Sequence, residues 1–275
     1  MRSGVTTRPI VAYSGHPHGA IRREDAVAVE GPLEIRVDDV PVSLTMRTPG
    51  HDDELAVGFL VSEGVVGARA DVLSLERTGR DDSVVLITLS EQRRPRLAKL
   101  LRYFTTSSAC GVCGRASAVA LRRGDDGPVE LDDAIRIEAD TIVTLPSKLR
   151  QAQGLFDATG GMPAAALFDE SGTLVLVRED VGRHNAVDKL IGERRLRDAL
   201  PLTGAILLVT SRASYEIVQK AGVARIPIVL AVGAPSSLAI DLADELGITL
   251  AAFVRDGRFN VYCGAERIRG LGADA

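Results

Sequence analysis

Two cysteines separated by two residues are the part of this sequence most able to do chemistry. Cys110 and Cys113 lie within TTSSACGVCGRAS at residues 105–117, with a glycine after each of them. Small residues let the backbone turn sharply and leave the sulfur atoms open to a reaction partner. A C-x-x-C spacing and a nearby cation such as Arg115 lower a cysteine pKa from about 8.5 toward about 3.5 to 7.5. We therefore predict a nucleophilic thiolate at Cys110.

The C-x-x-C spacing also occurs in disulfides, zinc sites and redox proteins. Three cysteines in 275 residues, without a secretory signal, are typical of a reducing compartment, which disfavours a stable disulfide. A structural zinc site needs four ligands, and the sequence holds no second C-x-x-C, so we expect no structural metal. A dithiol oxidoreductase and a zinc-stabilised interaction module remain alternatives. A thioredoxin-type motif opens a helix after a strand, however, and this motif follows a predicted helix at residues 93–103.

The composition is that of a globular protein without a strong electrostatic bias. Its net charge is −4, so the chain lacks the overall positive charge that favours binding to nucleic acid or to an anionic membrane. Aromatic residues make up 4% and tryptophan is absent, which disfavours stacking on single-stranded nucleic acid. No apolar run approaches the roughly 20 residues that span a bilayer. We expect a cytoplasmic protein that binds neither nucleic acid nor membrane.

The first 104 residues predict a flexible arm followed by a small α+β domain. Residues 1–20 lack periodicity apart from an edge strand predicted at residues 10–13. Apolar and polar residues then alternate up to residue 47, which predicts a hairpin that turns at Asp38 and Asp39. The domain of residues 21–104 is completed by a helix at 52–62, strands at 72–76 and 84–89, and a basic helix at 93–102.

Residues 105–275 predict a three-layer α/β/α domain with the C-x-x-C loop at its start. A hairpin is predicted first, and beyond it strands alternate with helices, which is typical of parallel strands joined by helical crossovers. Ser147 is the predicted N-cap of the first helix. The predicted strands cover 164–168, 174–178, 205–210, 228–232, 249–254 and 258–262, and the predicted helices cover 148–158, 185–199, 214–221 and 236–246.

Two loops of this domain lie where α/β sheets bind ligands, beyond the carboxyl ends of strands and at the start of helices. They are residues 210–214, TSRAS, and residues 233–237, GAPSS. Ser211, Arg212 and Ser236 are therefore candidate ligands of a phosphate group. Serine before a helix is also the commonest helix cap, so an ordinary cap is the alternative.

The last hairpin and one polar stretch add further candidates. Arg255 and Arg258 lie at a turn that either reaches the same rim or is a solvated hairpin tip. His184 could be an acid or base in thiol chemistry. A histidine at a helix start is more often a cap or a hydrogen-bond linker, and His184 is left without a catalytic role. Cys263 is predicted to be a small buried apolar residue.

Five stretches together resemble the FdhD family, the sulfurtransferases that serve formate dehydrogenase. The resemblance covers nearly the whole chain, and the five stretches occur in the family's order. They are SSACGVCG at 107–114, TGGMPAAALFD at 159–169, EDVGRHNAVDKLIG at 179–192, TSRASYEIVQKA at 210–221 and FVRDGRFNVY at 253–262.

The resemblance implies a sulfurtransferase that acts through a cysteine persulfide. It would accept sulfur from a cysteine desulfurase and pass it to the molybdenum cofactor, bis(molybdopterin guanine dinucleotide), before insertion into formate dehydrogenase. Cys110 matches the persulfide-forming cysteine, and Cys113 is its companion. The stretch implied to hold the cofactor, or a guanine nucleotide such as GDP, consists of Phe253, Val254, Arg255, Asp256, Gly257 and Arg258.

The resemblance also implies a cytidine-deaminase-like fold and a homodimer. Zinc deaminases carry an H-x-E motif together with P-C-x-x-C. This sequence has no H-x-E, and Ala109 stands before Cys110 in place of proline. The fold is therefore expected without the deaminase metal.

Overall fold

The computed structural model describes residues 4–15, 19–104, 135–255 and 257–271. Over these residues the chain is a mixed α/β protein with four β-sheets. The predicted α/β character is confirmed.

The chain begins with a two-stranded antiparallel sheet. Strand β1 (Val5–Tyr13) pairs with β2 (Ala20–Ala28) along its whole length. Strand β1 is longer than the edge strand predicted at residues 10–13, and it lies inside the predicted arm. All of its side chains are at least partly exposed, so neither face is buried and the alternation of apolar and polar residues that marks a strand is weak.

The second sheet confirms the predicted N-terminal elements. Its strand order is β4-β3-β6-β5. Asp38 and Asp39 form the predicted hairpin turn, with φ angles of 47° and 66° that suit a two-residue connection. The elements are β3 (Gly31–Val37), β4 (Val40–Arg47), α1 (Asp52–Ser62), β5 (Val72–Thr78), β6 (Val84–Leu89) and α2 (Arg94–Phe104).

The C-terminal part is built on a six-stranded sheet of order β13-β12-β11-β10-β8-β9. Strands β10, β11 and β12 are parallel, as the predicted crossovers require, and the remaining pairings are antiparallel. The strands are β7 (Ile137–Glu138), β8 (Ala164–Phe168), β9 (Leu174–Glu179), β10 (Ile206–Val209), β11 (Ile228–Ala231), β12 (Thr249–Arg255), β13 (Arg258–Cys263) and β14 (Ile268–Arg269), of which β7 and β14 form a separate short pair. The helices are α3 (Ala139–Ile142), α4 (Leu145–Gln151), α5 (Gly154–Thr159), α6 (Arg183–Leu196), α7 (Tyr215–Val223) and α8 (Ser237–Leu246).

The helix predicted at residues 148–158 is wrong in its bounds. The structure has two short helices, α4 and α5, and α4 begins before Ser147, which is therefore not its N-cap. The break comes at Gln153, whose buried side-chain amide donates to the carbonyl oxygen of Met162 at 3.1 Å. A buried amide needs such a partner, and this long-range contact is invisible in local periodicity. The predicted stop at Gly160 is confirmed by its φ of 77°.

Both faces of the six-stranded sheet are covered. Leu207 and Val209 point into one apolar cluster, which includes α1, α6, α7, α8 and the second sheet. Ile206 and Leu208 point into another, which includes residues of α3 and α4 such as Ile142. The four-stranded second sheet and the six-stranded sheet therefore share one continuous apolar core. The cytidine-deaminase-like arrangement stays a prediction, as does the domain boundary at 104/105, which lies at the edge of the described residues.

Helices α1 and α6 cross in direct backbone contact. A Cβ atom added at Gly58 of α1 would lie 1.8 Å from the carbonyl oxygen of Asp188. A Cβ added at Gly192 of α6 would lie 1.8 Å from the carbonyl oxygen of Glu54. Only glycine fits at either position, because any side chain would collide with the backbone of the other helix.

Gly58→Ala and Gly192→Ala should each lower the free energy of unfolding by about 3 kcal/mol, since the helices must separate to admit a methyl group. Equilibrium urea denaturation measures this. Gly154→Ala is the matched control, because Gly154 opens a helix and has open space around its Cβ position. A loss of stability in Gly154→Ala equal to that in the other two variants would contradict the interpretation.

Candidate functional site

Three loops meet at the edge of the six-stranded sheet where β10, β11 and β12 end. The backbone of residues 210–214 is hydrogen-bonded to that of residues 232–236, through Ala213 to Ala234 at 3.1 Å and Ser236 to Ala213 at 3.0 Å. A Cβ at Gly233 would lie 2.9 Å from the carbonyl oxygen of Ser211, so glycine allows the close approach. The structure therefore brings together the two loops predicted to bind a phosphate, residues 210–214 and 233–237.

The end of β12 joins the same edge. The amide of Phe253 donates to the carbonyl oxygen of Gly233 at 3.3 Å. Phe253 has a φ of 56°, which is unusual for a residue other than glycine. The guanidinium of Arg255 lies 6.0 Å from the centroid of the Phe253 ring. A turn containing Gly257, with φ of 72°, then leads to Arg258.

The residues predicted to bind a phosphate at this edge differ in their exposure and in the hydrogen bonds that they already make. Arg212, Arg255 and Arg258 are exposed, so their guanidinium groups can reach a ligand in solution. Ser236 caps α8, since its hydroxyl accepts from the amide of Ala239 at 3.3 Å. Ser211 is half-buried, and its hydroxyl donates to the carbonyl oxygen of Arg212 at 3.2 Å.

Val254, another residue predicted to bind the cofactor, points away from this edge. Val254 is fully buried and packs in the cluster behind the sheet, so its side chain supports the hairpin rather than the edge. Asp256 lies outside the described residues, as do Cys110 and Cys113.

A hydrogen-bonded array at this edge was not predicted from the sequence. His184 Nε2 lies 3.2 Å from Ser214 Oγ, and His184 Nδ1 lies 3.1 Å from Glu216 Oε2. His184 lies in the first turn of α6, whereas Ser214 precedes α7 and Glu216 lies in the first turn of α7. The sequence signal was the S-x-E spacing at the end of the TSRAS loop, but nothing in the sequence links it to a histidine 30 residues away.

His184 is neutral at physiological pH. Its pKa is lowered to about 4, chiefly by burial and then by the positive charges of Arg183 and Lys220, against a weaker opposite effect of Asp188. The neutral ring has one donor and one acceptor. Nδ1–H therefore donates to the Glu216 carboxylate, and Nε2 accepts the hydrogen bond of the Ser214 hydroxyl.

The lowered pKa of His184 should make the protein less stable as pH falls from 6.5 toward 4. In this window the unfolded chain takes up a proton that the folded protein excludes, so the free energy of unfolding rises with pH. Between pH 6.5 and 5 the loss should be about 1–2 kcal/mol, and His184→Gln should remove it. Urea midpoints of both proteins across this range measure the difference. Equal slopes would show that His184 is not held neutral by the fold.

Two carboxylates with lowered pKa values, Glu54 and Asp71, act in a lower pH range than His184. Burial raises the pKa of Glu54, but hydrogen bonds from His51 and Arg178 outweigh it, and the pKa is below the ordinary 4.5. Burial also raises the pKa of Asp71, but hydrogen bonds from Arg93 and from two backbone amides outweigh it, and the pKa is below the ordinary 3.8. The stability that these two groups contribute is present above those values and is lost in more acid solution.

The residues before and within α6 form a buried polar cluster that fixes the start of this helix. The Asp180 carboxylate is fully buried and lies 2.6 Å from Lys189 Nζ. It also accepts hydrogen bonds from the amides of Thr48 and Gly182 at 3.1 and 2.8 Å and from Asn185 Nδ2 at 3.0 Å. These contacts tie the loop after β4 to the helix that carries His184.

A second buried ion pair lies under the array. Lys220 Nζ donates to both carboxylate oxygens of Asp188 at 2.9 Å, and Ser62 Oγ donates to Asp188 at 2.7 Å. Burial opposes the charge on Lys220, but the carboxylates of Asp188 and Glu216 outweigh it and raise the pKa of Lys220. Burial likewise raises the pKa of Asp188, against the attraction of Lys220. Through Ser62, this pair also connects α1 to α6 and α7.

Lys189→Met should lower the free energy of unfolding by about 3–5 kcal/mol, because it leaves the Asp180 carboxylate buried without its cation. The double variant Asp180→Asn/Lys189→Met should recover part of the loss, since no unpaired charge remains. Chemical denaturation measures both. Arg80→Met is the control: Arg80 is 97% exposed and 4.0 Å from Asp81, so the change should be below about 1 kcal/mol. Similar losses in Lys189→Met and Arg80→Met would rule out a buried charge as the cause.

The described residues contain neither a candidate metal site nor a candidate membrane-spanning helix. No three side chains among their His, Cys, Asp and Glu residues lie close enough together to hold a metal ion. None of their helices has the length and apolar character that a bilayer crossing requires. Cys263 is half-buried, donates to the carbonyl oxygen of Ile248 at 3.3 Å, and has a pKa raised chiefly by burial.

The fold matches a known structure closely in shape. A solved structure from Desulfotalea psychrophila, described as a formate dehydrogenase accessory protein, superposes with a TM-score of 0.73. The match covers 97% of this chain and 100% of the other at 23% sequence identity. The shared architecture is the mixed α/β fold described above.

The model of the FdhD/NarQ family matches residues 28–269, and the chain therefore belongs to this family. A relative from Mycolicibacterium paratuberculosis, named Sulfur carrier protein FdhD, is 49% identical over 90% of this chain and 94% of its own length. Relatives of the same name from Streptomyces coelicolor and Sulfurisphaera tokodaii are 46% and 44% identical, over 90% and 89% of this chain and 90% and 92% of their own lengths. The resemblance inferred from five motifs is confirmed.

Proposed function

We propose that this protein is a sulfurtransferase, a sulfur carrier required for formate dehydrogenase activity. It takes sulfur from a cysteine desulfurase on Cys110 and delivers it to the molybdenum cofactor, in its bis(molybdopterin guanine dinucleotide) form, before insertion into formate dehydrogenase. The observation that carries the proposal is the close similarity over most of the chain to relatives named Sulfur carrier protein FdhD. The motif that can hold sulfur is the C-x-x-C of Cys110 and Cys113.

The chemistry is exchange between thiolates and sulfur–sulfur bonds. The Cys110 thiolate attacks the outer sulfur of the desulfurase persulfide, so that a new S–S bond forms and the desulfurase thiolate leaves. Cys110 then carries a persulfide. Either the outer sulfur is passed on directly, or Cys113 attacks the Cys110 sulfur, which releases sulfide and leaves a Cys110–Cys113 disulfide. In the second route the two thiols supply the two electrons that reduce the sulfur.

The edge formed by residues 210–214, 232–236 and the last hairpin is the proposed binding place of the cofactor. Its support is the backbone hydrogen bonding of these segments and the exposed guanidinium groups of Arg212, Arg255 and Arg258. Guanidinium groups bind phosphate oxygens in a forked geometry, and the cofactor carries a diphosphate for each guanine. GDP is expected to occupy the same place. A homodimer, a cytoplasmic location and a cytidine-deaminase-like fold are part of the same proposal.

Incubation with a cysteine desulfurase and cysteine should add the mass of one sulfur atom to Cys110, and reductant should remove it. Intact-mass spectrometry followed by peptide mapping measures both steps. Cys110→Ala should abolish the addition, whereas Cys263→Ala, which changes the half-buried cysteine of β13, should leave it unchanged. Sulfur uptake by Cys110→Ala equal to that of the unmodified protein would exclude Cys110 as the acceptor.

The C-x-x-C motif also supports a second candidate, a dithiol oxidoreductase. Such a protein would cycle through a Cys110–Cys113 disulfide, and Cys113→Ser would trap a mixed disulfide with a protein substrate. A zinc-stabilised interaction module, the third reading of the motif, would retain zinc through purification and unfold with a chelator. The sulfur carrier is distinguished from both by its one-sulfur mass increase.

A further inference from the structure

The hydroxyl of Ser214 is held away from the helix that it precedes. Ser214 occupies the N-cap position of α7, yet its side chain makes no hydrogen bond to the first turn of that helix. Its Oγ is instead 3.2 Å from His184 Nε2. Ser236, in the equivalent position before α8, does make the cap bond. The difference arises because the side chain of His184, which belongs to another helix, is hydrogen-bonded to the Ser214 hydroxyl.

The proton arrangement limits what Ser214 can offer to an anion. With His184 neutral and its Nδ1–H given to Glu216, the Ser214 proton is committed to Nε2. A phosphate oxygen is an acceptor and needs that proton. Ser214 can donate to a phosphate only if Nε2 acquires a proton of its own and donates to Ser214 Oγ in turn.

We propose that binding of a phosphate group at residues 210–214 is coupled to protonation of His184, which makes His184 a positioning residue of the anion site. This inference rests on the proposed function, because the cofactor supplies the phosphate. The ligand class is the diphosphate of a nucleotide. One proton comes from solvent, His184 becomes an imidazolium that donates to Glu216 and Ser214, and the Ser214 O–H turns to the phosphate oxygen.

The charges around His184 favour this coupling. Arg183 on α6 and Lys220 on α7 oppose a positive imidazole, while Asp188 on α6 and Glu216 on α7 favour one. In the protein without a bound phosphate, burial is the largest effect and favours the neutral ring. A phosphate beside Ser214 adds negative charge to this group and supplies the acceptor that the turned hydroxyl needs, so both effects stabilise the imidazolium.

Isothermal titration calorimetry with GDP at pH 6, in two buffers of different ionisation enthalpy, measures the proton exchanged on binding. A rise in the His184 pKa from about 4 to about 6 would give uptake of about half a proton per GDP. GDP itself tends to lose a proton when it binds a cationic site, since the second pKa of a phosphate monoester is about 6. The decisive quantity is therefore the uptake of the unmodified protein minus that of a variant.

Two variants separate the contributions of the His184 imidazole and the Ser214 hydroxyl to the proton uptake. His184→Gln cannot titrate, and Ser214→Ala keeps the histidine but removes the hydroxyl that transmits its state to the ligand. Both should bind GDP more weakly and should lose the proton uptake of the unmodified protein. Circular dichroism of each variant establishes that it is folded before titration.

The outcomes distinguish this inference from the function on which it rests. Absence of GDP binding by the unmodified protein would defeat the proposed cofactor edge itself. Binding with the same proton exchange in the unmodified protein and in both folded variants would overturn the coupling and leave the cofactor edge standing. Proton uptake that disappears in His184→Gln and in Ser214→Ala would support the coupling.

Discussion

The contact between α1 and α6 is the constraint on which the rest of the structure depends. At Gly58 and Gly192 the two helix backbones touch, so side chains on either side of the crossing come within hydrogen-bonding distance. The apolar cluster can therefore run without interruption from the four-stranded second sheet to the six-stranded sheet. The position of His184, at the start of α6, follows from how that helix is seated against α1.

Close packing of this kind brings charged groups into the interior, where they form two ion pairs. Asp180 and Lys189 meet beside the loop after β4, and Asp188 and Lys220 meet beside Ser62. Buried charges cost several kcal/mol each unless they are paired and hydrogen-bonded. Because these pairs join segments far apart in sequence, they tie the register of α6 to both α1 and α7. These pairs explain Asp180, Asp188 and Lys189 of the EDVGRHNAVDK stretch by structure, whereas His184 contacts Ser214 and Glu216 at the loop edge.

The edge itself combines a rigid backbone with adjustable side chains. Residues 210–214 and 232–236 hold each other through backbone hydrogen bonds, and β12 is attached to them at Phe253. Arg212, Arg255 and Arg258 extend from this frame into solvent. Such an arrangement suits a large phosphorylated ligand, because the frame supplies a fixed position and the guanidinium groups adapt to the phosphates. The C-x-x-C motif, for which we propose the sulfur-carrying role, is a separate segment of the chain.

Local sequence determined most of the secondary structure, and it also supplies the C-x-x-C motif on which the proposed sulfur chemistry rests. Apolar periodicity placed α1 at residues 52–62 and the strands of both sheets, because burial of one face acts within a few residues. It failed at Gln153, whose buried side chain is hydrogen-bonded to a carbonyl oxygen nine residues away, and at β1, whose side chains are all at least partly exposed. The family followed from five motifs whose residue types are legible without coordinates. Only the tertiary structure decided that His184 meets Ser214 and Glu216 and that α1 must touch α6, because hydrogen bonds and packing between distant segments leave no periodic trace in the sequence.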